Sequence, residues 1–348
     1  MENFHFDIHP NFKLNNERVN IKELLFKADN FISSNIDYQK DIGFFINNWF
    51  NKSPYLIVKT SGTTGKSKEI KIEKSAMINS AVATGDFFNL GKGSKALCCL
   101  PVKYIAGKMM LVRAMVLGWE IDIVEPSSNP LKGIDKVFDF VAMVPLQVEN
   151  SLDKLDRVKT LLIGGAPLNK QLSAKLIELR CNAYESYSMT ETVTHVALKK
   201  VGNKSFRVLS NVKISIDNRN CLIINAPQLN PEELITNDVV DLISEFEFIW
   251  KGRIDNVVNS GGIKLFPEQI EEKLVNKIQN RFFVAGVPDE IFNEKLVLFI
   301  EGEEFKFDIS VFDELDKFEK PKEIFFINKF SETETGKIKR KEIINQFK

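Results

Sequence analysis

Between residues 75 and 163 the chain alternates two kinds of segment, and this alternation restricts its fold more than any other feature. Residues 75–87 and 104–117 carry apolar side chains at helical spacing, whereas 96–100, 120–124, 140–144 and 160–163 are short apolar runs. Runs so short and so apolar read as strands buried on both faces, with the intervening helices as their cover. The expected architecture is an α/β layered domain with a mostly parallel sheet. Cys98 and Cys99, adjacent in one such strand, should point to opposite faces of it. With Cys181 and Cys221 they form no CxxC pair, so buried reduced thiols are expected in place of zinc ligands.

The flanking segments differ in texture. Up to about residue 50 the chain is polar and rich in Asn and Lys, with helical spacing at 21–28 and 42–50. A buried strand is expected at 55–58 and an alternating strand at 69–72. From about Phe206 the pattern turns β-rich, with strands at 212–216, 221–225 and 246–251, until Lys251-Gly252-Arg253 interrupts it. Beyond lie a Gly-Gly turn, a helix at 267–278 and strands at 281–286, 296–301 and 323–328. A boundary near Gly252 predicts a large N-terminal domain, 1–251, and a smaller α+β C-terminal domain, 252–348.

Charge excludes some functions. Lys+Arg 47 balances Asp+Glu 47, so no long-range field steers the molecule onto nucleic acid or anionic lipid, and any polyanion must meet a local site. The most apolar stretch, 96–124, is broken by Lys103, Lys108, Arg113 and Glu120 and is no membrane span. The first residues carry no apolar leader, which makes a cytoplasmic location the expectation. A homo-oligomer is compatible with the sequence.

The segment Thr60-Ser61-Gly62-Thr63-Thr64-Gly65-Lys66-Ser67-Lys68 is built from glycines, hydroxyls and lysines, groups that converge on phosphate oxygens. It is not a Walker A loop. That motif requires a glycine where Thr60 stands and a helix afterwards, and the residues that follow alternate like a strand.

This loop resembles the phosphate loop of the adenylate-forming superfamily of acyl-CoA synthetases, adenylation domains and luciferases, and further fragments follow in that family's order. Gly164-Gly165-Ala166-Pro167-Leu168 resembles its adenine-side turn, and Tyr184 to Thr192 resembles its YGxTE segment. The resemblance implies that Glu185, Ser186 and Tyr187 line the adenine pocket, Thr190 meets the α-phosphate and Glu191 holds Mg²⁺. Thr236-Asn237-Asp238 stands for Thr-Gly-Asp, whose aspartate bonds the ribose. Gly252-Arg253-Ile254-Asp255-Asn256 resembles the segment with a ribose-facing arginine, Arg253, and a hinge residue, Asp255. The turn with Gly262 and Lys264 would face coenzyme A, and Lys337 in Glu334-Thr335-Gly336-Lys337 would be the adenylation lysine. The chain departs from the family at Ser188 and Asn237, both glycine there, and at Lys103-Tyr104, where the family's LPxFHxxG histidine is missing.

The implied chemistry is ATP-dependent carboxylate activation and thioester transfer to coenzyme A by a small domain that rotates about Asp255. Within the superfamily, residues 189–199 look most like the o-succinylbenzoate-CoA ligases of menaquinone biosynthesis. That acid carries a second carboxylate needing a partner. Candidates are His195, placed on one face with Val193 and Ala197 if 193–198 is extended, or Lys103 and Lys108; each is equally readable as a core histidine or a solvated lysine. A stand-alone adenylation enzyme loading a carrier protein and a noncatalytic nucleotide-binding relative are the other readings. The phosphate loop begins at residue 60, earlier than that family usually places it, which implies a large domain shortened at its N-terminal side.

Overall fold

A computed structural model describes residues 6–59, 69–332 and 338–347; the loop 60–68 and Lys337 lie outside the described residues. Thirteen of the described strands form one sheet. At its centre Glu120–Ile123, Lys95–Cys98, Phe138–Met143, Val158–Ile163 and Asn182–Ser188 run parallel, each joined to its neighbour in that order. Helices return the chain between them, which is what parallel pairing requires. Past Asn182–Ser188 the sheet continues antiparallel through His195–Lys200, Phe206–Val208, Glu247–Arg253, Leu234–Ser244, Cys221–Asn225 and Lys213–Ile216. The sequence changes texture near Phe206 because hairpin connections replace helical crossovers there.

Two-residue periodicity sorts the parallel strands onto two cores. Ala96, Cys98, Phe140 and Ala142 join one, and Leu97, Cys99, Val141 and Met143 the other. The first is covered by helices Ile21–Ser33, Asp37–Phe50, Lys74–Phe88 and Ile105–Leu117, the second by Pro145–Asn150 and Lys170–Glu178. Cys98 and Cys99 thus face opposite layers, and burial pushes the Cys98 thiol up to about 12. All four cysteines are buried and free.

A second sheet gathers Ile263–Leu265, Val258–Ser260, Asn293–Glu301 and Phe282–Asp289, with Glu323–Ile327 parallel to Asn293–Glu301. Helix Pro267–Leu274 packs on it through Ile270 and Leu274, stopping short of the expected Ile278. Tyr55–Lys59 and Glu69–Glu73 form a separate antiparallel hairpin, the two strands flanking residues 60–68 in sequence. The first of these strands is not buried on both sides. Leu56 and Val58 are buried, but Ile57 is 55% exposed, because a two-stranded ribbon has a core on one face only. No described helix is long and apolar enough to cross a membrane.

Candidate active site

The centre of the site is Asp238, 7% exposed in the strand Leu234–Ser244. The Tyr187 hydroxyl donates to its Oδ2 at 2.7 Å and the Trp250 indole N–H to its Oδ1 at 3.1 Å. Arg253 NH1 stands 3.7 Å from Oδ1. Its other terminal nitrogen, NH2, reaches Asp255 at 3.4 Å, and Asn237 donates to the same Asp255 oxygen at 3.3 Å. Residues read from three separate stretches of sequence therefore meet. Burial raises the Tyr187 phenol far above its ordinary range, and the Asp238 charge adds to the shift, so it stays a neutral donor.

The residues that the resemblance assigns to the adenine also come together. Gly164, just past the strand Val158–Ile163, lies against Ser186 on the next parallel strand, so a Cβ there would sit 2.7 Å from the Ser186 hydroxyl. Gly165 follows at φ +87°, which excludes a side chain without strain, and Ala166 completes the turn. Ser186 in turn donates to the Ile163 carbonyl at 3.0 Å. Glu185 is held across the strand pair by Lys199 at 3.0 Å.

Thr190 and Glu191 open a short 3₁₀ turn ending at Thr192. Val193 then adopts φ 66°, ψ −61°, and the Thr194 N–H donates to the Thr192 carbonyl at 2.7 Å, a strained γ-turn on a β-branched residue. The expected extended run 193–198 therefore fails: the strand starts at His195, and its register shifts between His195 and Ala197. Backbone strain held this way clusters at functional sites, where surrounding contacts enforce it.

Of the two readings open for His195, its surroundings match the core histidine. It is 3% exposed, its Nε2 lies 3.3 Å from the Thr84 hydroxyl, and burial, then the neighbouring Arg113 charge, lowers its pKa well below the ordinary value. A neutral core imidazole is a poor carboxylate anchor. It does leave a stability signature. Because the unfolded chain takes up a proton near pH 6.5 that native His195 refuses, this group's contribution is intact above that pH and lost as pH falls. The unfolding free energy read from urea titrations should drop below pH 6.5 with a slope of at most about 1.4 kcal/mol per pH unit, and His195→Gln should remove that component. Lys108 is committed elsewhere: its ammonium donates to the Val102 and Lys103 carbonyls at 2.6 and 2.7 Å, and burial lowers it to about 8. Lys103 lies over the Tyr104 ring.

The sequence reading missed the group beside His195. Arg113, 2% exposed within Ile105–Leu117, donates to the Thr84 hydroxyl at 3.2 Å and touches the Met110 sulfur at 3.8 Å. Among the described residues it has no carboxylate partner, and burial lowers it to about 10. The signal was available: an arginine in a helix whose residues are buried nearly all round is not a surface interruption.

Glu191 is exposed, and its side chain has no hydrogen-bond or ion-pair partner among the described residues. No cluster of three metal-ligating side chains stands among them either. Mg²⁺ suits such a lone carboxylate, since it usually takes one or two carboxylates together with substrate phosphates.

Arg253 ends the large sheet and Val258 opens the small one, with Asp255 in the single 3₁₀ turn between them. Gly252, at φ +149°, lies so close to Glu268 of the helix Pro267–Leu274 that a Cβ would meet its Oε2 at 2.5 Å. Asp255 also borders a cavity of about 520 Å³ shared with Val284, Arg340 and Lys341. Gly262 and Lys264 lie in the hairpin of the small sheet, and no hydrogen bond or ion pair among the described residues joins them to the Asp238 cluster.

The family described as AMP-binding enzyme matches residues 27–233. A 2-succinylbenzoate–CoA ligase from Listeria monocytogenes is 26% identical over 333 residues, covering 82% of this chain and 69% of that protein. Among solved structures, an acyl-CoA synthetase (AMP-forming)/AMP-acid ligase II-like protein from Dyadobacter fermentans is similar at 36% identity and a TM-score of 0.62. It spans 92% of this chain and 97% of its own. O-succinylbenzoate coenzyme A synthetase from Bacillus subtilis, solved with ATP and magnesium ion, shares the fold at a TM-score of 0.73 and 19% identity, over 82% of this chain and 69% of that one.

Proposed function

The chain belongs to the AMP-binding enzyme family, and from that membership we propose that it joins a carboxylic acid to AMP and then to coenzyme A, the acid being 2-succinylbenzoate. The observation that carries the nucleotide half is the meeting of Tyr187, Asp238, Arg253 and Asp255 within hydrogen-bond and ion-pair reach, although they come from separate stretches of chain.

A carboxylate is a poor electrophile until one oxygen becomes part of a leaving group. The acid oxygen attacks the α-phosphorus of ATP, the bond to the β-phosphate oxygen breaks, and pyrophosphate departs. Both reactants are anionic, so catalysis consists chiefly of neutralising and aligning them. In this reading Asp238 and Arg253 fix the ribose, and Gly164, Gly165, Ala166 and Glu185 to Tyr187 frame the adenine. Thr190 holds the α-phosphate, and the segment 60–68 receives the departing pyrophosphate. Glu191 would hold Mg²⁺, which supplies charge neutralisation at the phosphates when bound. Lys337 would join the acid and α-phosphate oxygens.

In the second half-reaction a thiolate sulfur attacks the acyl carbon and AMP leaves. The same lysine loop would obstruct that approach, so the unit 252–348 turns about Asp255 and brings the Gly262–Lys264 hairpin forward. The break between the two sheets, at residues 254–257, supports this division. For the acid, the named relative from Listeria monocytogenes supports 2-succinylbenzoate, and Arg113 supplies a buried cation for a second carboxylate.

ATP–pyrophosphate exchange tests the reading: 2-succinylbenzoate should drive it well above benzoate, fatty acids or amino acids. No exchange with any acid would favour a noncatalytic nucleotide binder. Exchange without transfer to free coenzyme A would favour loading of a carrier protein.

A further inference from the structure

We propose that Trp250 is a positioning residue for the nucleotide's ribose, acting through Asp238, and that this pair sets the preference for a sugar with free vicinal hydroxyls. The inference rests on the reading of Asp238 as the ribose-binding carboxylate.

A local irregularity of the sheet puts Trp250 where it is. Asp238 pairs with Arg253 and Val239 with Gly252, but Val240 pairs with Trp250, so Lys251 is an extra residue in its strand. Without this bulge Lys251 would stand opposite Val240, on the face that carries Asp238 and Arg253. The bulge turns Lys251 to the other face, where it pairs with Asp241 at 3.1 Å, and delivers the indole to Asp238. Re-aiming a side chain at the edge of a site is a recurring use of bulges.

The donor chemistry fits a positioning task. A carboxylate offers about four acceptor positions, two on each oxygen. Tyr187 takes one on Oδ2 and Trp250 one on Oδ1, which fixes the carboxylate plane and leaves one acceptor on each oxygen. Two remaining acceptors on a fixed plane match two adjacent hydroxyls. Both donors are neutral, and the charged neighbour, the Arg253 guanidinium 3.7 Å from Oδ1, stands beyond hydrogen-bond distance, so neither remaining acceptor is taken. The indole N–H is donor only and sits on a rigid ring packed against the large core, so it cannot exchange roles as a hydroxyl can.

The test is calorimetric binding of Mg·ATP and Mg·2′-deoxy-ATP to the full chain and to Trp250→Phe, with Asp238→Ala as reference. Trp250→Phe keeps an aromatic ring and removes the N–H. It should weaken ATP about tenfold, and 2′-deoxy-ATP by about threefold or less, because the lost contact acts through a sugar hydroxyl. A purely structural role would weaken both equally, and that result, or unchanged ATP affinity, overturns the proposal. Sugar-dependent loss in Asp238→Ala without it in Trp250→Phe rejects Trp250 alone, whereas ATP affinity unchanged in Asp238→Ala removes the ribose reading beneath it. A readout on the unsubstituted protein guards against misfolding of the variants. Trp49 and Trp119 are fully buried, so tryptophan fluorescence should respond to ATP and less to 2′-deoxy-ATP through Trp250. No response to ATP contradicts the proposal.

Discussion

Lys337→Ala should lower acyl-adenylate formation by about 10² to 10³, yet leave thioester formation from presynthesised acyl-adenylate largely intact. The asymmetry follows from when the cation is needed. In the first half-reaction two anions must approach, and an ammonium bridging them stabilises charge that develops as pyrophosphate leaves. In the second the acid and the α-phosphate are already joined as a mixed anhydride, and the nucleophile meets a neutral acyl carbon. The residues on either side of 333–337 show how such a lysine would be carried. Glu332 pairs with Ile338, the Lys339 N–H donates to the Ser331 carbonyl at 2.9 Å, and Arg340 clamps Glu271 with two bonds of 2.8 Å. Glu271 lies on the helix Pro267–Leu274, which packs on the small sheet, so the flanks of the lysine segment belong to that unit. If the unit 252–348 turns about Asp255 as proposed, a lysine carried by it would serve one half-reaction and be withdrawn from the other. Single-turnover assays of the two steps decide the matter: equal loss of both would show that Lys337 is not confined to adenylation.

The layered core was legible because each of its strands carries its own signal. Residues 96–100 or 140–144 are apolar on both faces, and no other environment suits them. The residues assigned to the nucleotide came from a different source, their resemblance to a family's motifs in order, and the structure brings Tyr187, Asp238 and Arg253 within reach of one another. The strands Lys13–Leu14 and Glu17–Arg18 were not legible, since two residues in a polar stretch carry no periodicity. Nor was the bulge at Lys251, because inserting one residue leaves the local composition unchanged. At His195 spacing left two readings open, and at Arg113 it misled. Spacing places side chains on faces only while the backbone is regular, and the γ-turn at Val193 breaks that condition just before His195. Arg113 was read as an interruption in an apolar run, when its burial makes it the costliest side chain in that helix to keep without an anion.

Arg113→Met should raise KM for 2-succinylbenzoate on the order of 10²-fold while making the protein harder to unfold. The two effects have one cause. A guanidinium 2% exposed, whose partners among the described residues are a hydroxyl and a thioether, is withdrawn from solvent without a countercharge among those residues, a state that costs stability. Its depressed pKa, about 10, expresses that cost. Methionine fills a similar volume without charge, so unfolding should require about 1–3 kcal/mol more, read as a higher urea midpoint. Such a cost is retained when a ligand repays it, and an acid with a second carboxylate would do so by entering as the missing anion. The same acid without its aromatic carboxylate, 4-oxo-4-phenylbutanoate, has nothing to offer Arg113. Its KM in ATP–pyrophosphate exchange should change little on substitution, so the variant loses its preference for the diacid. Arg113→Lys should fall between, because a point charge replaces the fork that meets a carboxylate with two parallel bonds. If Arg113→Met weakened both acids alike, or destabilised the fold, the guanidinium would be a structural member of the Thr84–His195 cluster and the second carboxylate would bind elsewhere.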